Sequence, residues 1–385
     1  MTDTRTEHVR TEHIRTERRG ALGVITLDRQ EALNALTHDM VRAMADALRS
    51  WRSDDAVERV LITGAGERAL CAGGDVVTLA RDVAETGGVG GGAFWRDEYA
   101  LNAMIARYPK PVIALQHGIV LGGGVGISGH ASHRIATDST RIGFPEVTIG
   151  FVPDVGATWL LTRVPAGAPG AELGTRAALS GEHFGPADAV LLGLSDVVVA
   201  QSRIAELVER LETEDADAAI AAVAVAPQAA VSTDGRLAGE QALIDAAFVG
   251  DDAAAIVARL EASGPEGAGV AATIAKRSPL AVAVTLEALR RARGLGSLEQ
   301  ALATEYRVSR NVSLLPDFAE GIRAQLIDKD RAPRWQPASL SQVTPAMVEA
   351  CFAPAPEGDL RLPEGDLRLP EGGPLPQPTS SKETA

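Results

Sequence analysis

Aromatic residues are scarce in this sequence, there are only two cysteines, and neither long apolar runs nor long basic runs occur. Aromatics make up 4% of the 385 residues, so the 45% apolar share, ordinary for a soluble globular chain, rests largely on Ala, Val and Leu. Cys71 and Cys351 lie far apart, form no CxxC and have no clustered His partners. That disfavours a disulfide framework and a zinc or other metal site, and fits a reducing cytosol. No apolar stretch reaches the length of a membrane span. The formal net charge of −14, with no Lys/Arg run, argues against nucleic acid and against an anionic membrane surface. A polyanionic ligand would then need a local basic or N–H-rich site. Residues 1–20 lack the apolar centre of a secretory signal, and their acids disfavour a mitochondrial transit peptide, so a cytoplasmic location is expected.

The length suffices for one large domain with an appendage, or for two domains. Both ends are repetitive. Residues 5–18 repeat Arg-Thr-Glu-His, and residues 356–373 repeat Pro-Glu-Gly-Asp-Leu-Arg-Leu before a Pro- and Ser-rich end. Neither end can bury enough apolar surface to offset its ordering entropy, so disordered tails are expected at 1–19 and 346–385. Between them strands alternate with helices. Strands are expected at Ala21–Leu27, Arg59–Gly64 and Pro111–Leu115, with short ones at Arg134–Ala136, Arg141–Gly143 and Asp196–Val199. Thr37 is positioned to cap a helix through Trp51, residues 87–92 read as a glycine-rich loop, and Phe94–Tyr108 and Gly123–Ala131 read as helices. From about residue 201 only helical periodicity remains, with breaks expected at Pro227, Gly235 and Gly264-Pro265 in the Ala-rich stretch 214–275. The fold class is therefore α/β over residues 20–200, followed by a helical region over 201–345.

Two glycine-rich segments each follow a strand: Gly73-Gly74-Asp75, and Gly122-Gly123-Gly124 opening a helix. Glycine admits close approach of a backbone N–H to a ligand, and a helix N-terminus adds orphan donors. Two such N–H groups aimed at one point make an oxyanion hole. The bland alternative is tight helix–strand packing. Neither segment fits a P-loop, the Gly122–Gly126 run lacks its Rossmann partner, and His130 occupies the last position of a would-be nucleophile elbow around Ser128. Glu146 and Asp154 stand eight positions apart on a Gly/Pro-rich loop, where scaffolds commonly carry functional groups. Asp154 also suits the N-cap of a helix over 156–161, and Asp97-Glu98 also suits a solvated helix face. His117, His130 and His133 have no metal-ligand spacing, and Trp95 and Tyr99 read as core or pocket wall.

The segments Ala32-Leu33-Asn34-Ala35-Leu36, Leu70-Cys71-Ala72-Gly73-Gly74-Asp75, Gly118 with Gly122-Gly123-Gly124, Pro145-Glu146 and Glu320-Gly321 together resemble the crotonase (enoyl-CoA hydratase/isomerase) superfamily over about residues 20–336. The resemblance implies a spiral of ββα units, a helical C-terminal region supporting homo-oligomers (trimer or hexamer), and an oxyanion hole from the amides of Gly74 and Gly123. It also implies an acyl-CoA substrate and no separate cofactor, coenzyme A being part of the substrate. Hydratases carry a further catalytic Glu just after the triple glycine, and here that position is Gly126. The sequence is more similar to the 3-hydroxyisobutyryl-CoA hydrolase branch. Its features match Phe94–Tyr99, His117-Gly118, Phe151-Val152-Pro153-Asp154-Val155-Gly156, Glu305-Tyr306-Arg307, and the run from Asp317 to Trp335. By that resemblance Glu98, Gly123, Glu146 and Asp154 contact substrate, with Glu146 as nucleophile or base. The alternatives are an enoyl-CoA isomerase of the same superfamily, a hydrolase for another short 3-hydroxyacyl-CoA, and a non-catalytic acyl-CoA-binding relative.

Overall fold

The computed structural model describes residues 6–163, 172–225 and 235–362. Eleven strands occur among these residues. β1 (Thr6–Arg10), β2 (Ile14–Arg19), β3 (Leu22–Leu27), β4 (Arg59–Gly64), β6 (Val112–Gln116), β8 (His133–Ala136) and β11 (Val197–Val198) form one sheet, in the order β1-β2-β3-β4-β6-β8-β11. β1, β2 and β3 are antiparallel, and pairing is parallel from β3 onward. β5 (Ala69–Cys71), β7 (Ile119–Leu121), β9 (Arg141–Gly143) and β10 (His183–Phe184) form a second sheet in the order β10-β9-β7-β5. The chain therefore steps from one sheet to the other and then into a helix, repeatedly: β4, β5, helix; β6, β7, helix. This is the expected spiral of ββα units. Parallel strands covered on both faces read as continuous apolar runs, as in the fully buried Val112–Gln116.

Three helices on the inner side of the spiral matter for the site. α1 (His38–Arg52) starts where Thr37 accepts a hydrogen bond from the Met40 amide, and it buries Met40, Val41, Met44, Ala45 and Leu48 along one stripe. α2 (Val76–Thr86) is capped by Asp75, whose side chain accepts from the Thr78 amide. α3 (Val89–Ala106) begins earlier than the sequence suggested. Of the residues expected to form a loop, Gly87 and Gly88 make the left-handed link between α2 and α3, while Gly90, Gly91 and Gly92 lie in the first turn of α3, close to Asp82, Trp95 and the Arg310–Glu357 pair respectively, where side chains would collide. α3 is buried nearly all round from Phe94 to Ile105, and Glu98 is 2% exposed rather than solvated.

Two more expectations are corrected. Residues 14–19, assigned to a disordered N-terminal tail, form β2 in register with β3, Ile14 opposite Leu27, and Ile14 is buried in the core. Within the repeat Ile14 and Thr16 are buried while Arg15 between them is exposed, the alternation of a strand. At the other end residues 346–362 are not a free tail. A helix at Pro345–Ala350 packs on the helix Pro279–Ala292, where Glu349 pairs with Arg291, and the following segment is held on the helix Leu298–Ser313, where Glu357 pairs with buried Arg310 and Asp359 with Arg307. The remaining expected tail residues, 1–5 and 363–385, lie outside the described residues, as does the expected break at Pro227. At Gly264-Pro265 the helix Ala253–Ala262 gives way to a second one, Gly264–Ile274, so the expected break is present, with Gly264 at φ 84° and proline in the first turn of the second helix.

Candidate active site

The short helix α4 (Gly123–Gly129) follows β7, and Gly122 before it adopts φ 48° and ψ −116°, a conformation costly for any residue with a Cβ. A Cβ on Gly122 would stand 2.6 Å from Glu146 Oε1, and one on Gly123 would stand 2.6 Å from Glu98 Oε1 and 3.3 Å from the Gly74 nitrogen. The glycines thus keep open one small space on which two backbone amides and two carboxylates converge. Gly74 lies in a parallel bridge with Leu36. The Leu36 amide donates to Gly73 O (2.8 Å) and the Asp75 amide donates to Leu36 O (2.9 Å), so the bridge uses the peptides flanking the Gly74 N–H. The Gly123 N–H is one of the orphan donors of a helix start.

Glu146 begins a 3₁₀ turn, Glu146–Ile149, that ends at left-handed Gly150. Glu146 Oε2 and Glu98 Oε1 are buried and have no hydrogen-bond partner among the described residues. Burial, with Asp154 as a neighbouring negative charge, raises the Glu146 carboxyl well above its ordinary range. Burial also raises Glu98 well above its range, reinforced by Asp154 and Glu146. Asp154 is pushed up to about 7, chiefly by burial; a hydrogen bond from Tyr99 opposes the shift and Glu305 adds to it. Four buried acids therefore face one another from α3, the 3₁₀ turn, the loop after it, and the helix Leu298–Ser313.

The structure also shows what holds these groups. The Tyr99 hydroxyl donates to Asp154 Oδ2 (2.5 Å) and shares a 2.8 Å hydrogen bond with Ser309. Asp154 is not the cap of the helix Ala157–Leu161. Glu305 takes that part, accepting from the amides of Gly156 (2.6 Å) and Thr158 (2.9 Å) and from the Thr158 hydroxyl (2.6 Å). Between them Val155 sits at φ 57°, a strained value for a β-branched residue, and its carbonyl accepts from His130 Nε2 at 2.8 Å. The Glu146 turn is braced from the C-terminal region. A side chain on Gly321 would collide with the Ile149 backbone, and the Ser278 amide donates to Val147 O at 3.1 Å.

All five residues singled out from the sequence, Gly74, Glu98, Gly123, Glu146 and Asp154, are thus brought to one place. Tyr99, His130 and Glu305 were not read as positioning groups. Asn102, one turn beyond Glu98, was not singled out at all, yet it is fully buried, with neither side-chain amide atom partnered among the described residues. Cys71 is no nucleophile, because burial pushes its thiol up to about 12. His117 is a packing residue, its ring nitrogens 3.3 Å from Leu115 O and 3.1 Å from Gly66 O. Among the described residues no helix is long and apolar enough to cross a membrane, and no His/Cys/Asp/Glu group could hold a metal ion.

Residues 22–352 match the family model described as enoyl-CoA hydratase/isomerase. Among curated proteins the chain is 36% identical over 353 residues to the mitochondrial 3-hydroxyisobutyryl-CoA hydrolase of Danio rerio, covering 90% of this chain and 91% of that one. It is 33% identical to the human protein of the same name, covering 90% and 89%. Among solved structures it is similar to a carnitinyl-CoA dehydratase from Mycobacterium thermoresistibile, with TM-score 0.84 and 46% identity over 90% of this chain and 98% of that one. An enoyl-CoA hydratase from Rhodobacter sphaeroides gives TM-score 0.83 and 39% identity over 91% and 100%. With its two-sheet spiral, its glycine-lined site and these relatives, the chain belongs to the enoyl-CoA hydratase/isomerase (crotonase) superfamily.

Proposed function

We propose that the protein hydrolyses a short-chain 3-hydroxyacyl-CoA thioester, 3-hydroxyisobutyryl-CoA first among candidates, to the free hydroxy acid and coenzyme A. The observation that carries this is the convergence of the Gly74 and Gly123 amides with the Glu146 carboxyl, whose Oε2 has no partner among the described residues. The thioester carbonyl oxygen accepts from the two amides, which stabilise the negative charge as the carbonyl carbon is attacked; one such donor is worth roughly 10²–10³ in rate. Glu146 supplies the addition, either through its own oxygen, giving a mixed anhydride that water then cleaves, or by taking a proton from the attacking water. The thiolate of coenzyme A leaves and is protonated. Asp154, held by Tyr99, accepts from or donates to the substrate hydroxyl, and Glu98 lines the acyl end.

Position 126 argues against a hydratase or dehydratase. A Cβ there would stand 2.7 Å from Val155 Cβ and 3.0 Å from Asn102 Nδ2, leaving no room for a carboxylate-bearing side chain. The curated relatives named as hydrolases support the choice of substrate. A homo-oligomer, trimer or hexamer, belongs to the same proposal. Exposed Leu326 and Ile327 at the C-terminal region are apolar surface that a partner copy would cover. Two free, buried cysteines suit a reducing compartment, and the cytoplasm is the one proposed.

The test is thiol release from 3-hydroxyisobutyryl-CoA, 3-hydroxypropionyl-CoA and crotonyl-CoA, with Glu146→Gln in parallel. Release from the hydroxyacyl esters, abolished in the variant, is expected. Double-bond migration without thiol release would replace the proposal with an isomerase. A single turnover in ¹⁸O-water that leaves label in the Glu146 carboxyl establishes the anhydride, cleaved at the glutamyl carbonyl, since direct attack of water on the thioester labels only the hydroxy acid.

A further inference from the structure

The heptapeptide Pro356-Glu357-Gly358-Asp359-Leu360-Arg361-Leu362 is followed at once by an identical heptapeptide, residues 363–369. The first copy is docked. A turn closes from the Gly358 amide to Ala355 O (2.9 Å), with Gly358 at φ 89°, and the two acids then face the helix Leu298–Ser313. Glu357 accepts from Arg310 Nε (2.5 Å) and Nη2 (3.1 Å) and from the Tyr306 hydroxyl (2.6 Å). Asp359 takes both Arg307 donors, Nε and Nη2, each at 2.6 Å. Leu360 is buried behind them. The contacts reach the site. Arg310 and Glu357 fill the space over Gly92 in the first turn of α3, Arg96 of α3 donates to the Tyr306 hydroxyl (3.0 Å), and Tyr99 of α3 meets Tyr306 edge to face.

Every group these contacts require recurs in the second copy: Pro363 and Gly365 for the turn, Glu364 and Asp366 for the arginines, Leu367 for the apolar seat. A third, partial copy, Pro370-Glu371-Gly372-Gly373, lacks the Asp and the Leu. We propose that the Tyr306–Arg307–Arg310 face is a receptor for this heptapeptide, and that residues 363–369 take the place of residues 356–362 in the same chain by a seven-residue slip. The displaced copy then becomes part of the connecting loop, an insertion whose entropic cost grows only slowly with length. Charge complementarity and the bidentate Arg307 pair give the receptor its selectivity.

The test uses the full chain and reads the thermal unfolding midpoint and the solution mass, neither of which depends on thioester chemistry. Three variants are compared: Glu357→Ala with Asp359→Ala, Glu364→Ala with Asp366→Ala, and all four together. Each double variant is expected within about 2 °C of the parent. The quadruple variant, with Arg310 buried and uncompensated, is expected to fall by about 3–8 °C. Adding the synthetic heptapeptide should raise the quadruple variant's midpoint and leave the parent's unchanged. A Glu357/Asp359 double variant as unstable as the quadruple one overturns the exchange, and a quadruple variant as stable as the parent overturns the receptor. A dimer formed only by the Glu357/Asp359 variant would place the second copy on another chain and overturn the same-chain slip.

Discussion

The Tyr99 hydroxyl points at Asp154 and at Ser309 together, 2.5 Å from the carboxylate oxygen and 2.8 Å from the serine. A donor held this way favours the charged form of Asp154, against the burial and the Glu305 charge that push it toward the neutral one. The titratable groups around Asp154 are Glu98 from α3, Glu146 from the 3₁₀ turn and Glu305 from the helix behind it. In Tyr99→Phe the Asp154 proton should be held to higher pH. The inflection of kcat/KM assigned to Asp154 is expected to move up by about one to two pH units, with a rate loss of roughly tenfold to a hundredfold at neutral pH. A pH profile of unchanged shape at lower rate would reduce Tyr99 to packing.

Asp154→Asn should reverse the usual sense of an active-site substitution where stability is concerned. The carboxyl is raised from an ordinary 3.8 to about 7 in the fold, so the native state keeps a proton that the unfolded chain releases. The Asp154 contribution is therefore whole below pH 4, falls as pH climbs from about 4 to about 7, and stays reduced above. The asparagine variant lacks that slope and still accepts from Tyr99. It should be more stable than the parent at pH 8, by roughly 1–4 kcal/mol, and no more stable at pH 4. Denaturant midpoints at the two pH values decide it.

A single methyl at Gly123 should stop the chemistry without unfolding the protein. Its carbon would stand 2.6 Å from Glu98 Oε1 and 3.3 Å from the Gly74 nitrogen, in the space assigned to the carbonyl oxygen. Gly123→Ala keeps the amide hydrogen but fills that space, and it is expected to lower kcat by about 10²–10³, as much as losing an oxyanion donor does. Steady-state kinetics beside a thermal melt would show the two effects apart.

Gly126→Glu, which restores the sequence pattern of a hydratase, should not restore hydration. The new side chain meets Val155 Cβ at 2.7 Å on the strained loop that carries Asp154. The expected outcome is no water addition to crotonyl-CoA, and a loss of stability of about 1–3 kcal/mol from overpacking.

Local signals gave the sequence reading its reach. Arg59–Gly64 and Arg141–Gly143 form strands with those bounds, and Thr37 caps the helix it was expected to cap. Each is decided by neighbours within a few residues. The positioning of Asp154 is decided elsewhere: Tyr99 lies 55 positions away, and Glu305 lies 149 from the Gly156 amide it holds. No periodicity encodes such a pairing. Glu98 looked like surface charge because Asp97 beside it is paired outward, with His38 and Arg42. The C-terminal repeat looked structureless because the partners of its acids, Arg307 and Arg310, belong to a helix some fifty positions earlier.

The crowd of acids around the glycine cradle has a thermodynamic consequence for how the site fills. Burial raises Glu98 and Glu146 well above the ordinary range and Asp154 to about 7, so these acids hold protons more firmly than free carboxylates do. A thioester whose turnover requires the Glu146 carboxylate must drive one of those protons out. Ligand uptake is then coupled to proton release, and the heat of binding should vary with the ionisation enthalpy of the buffer that receives the proton.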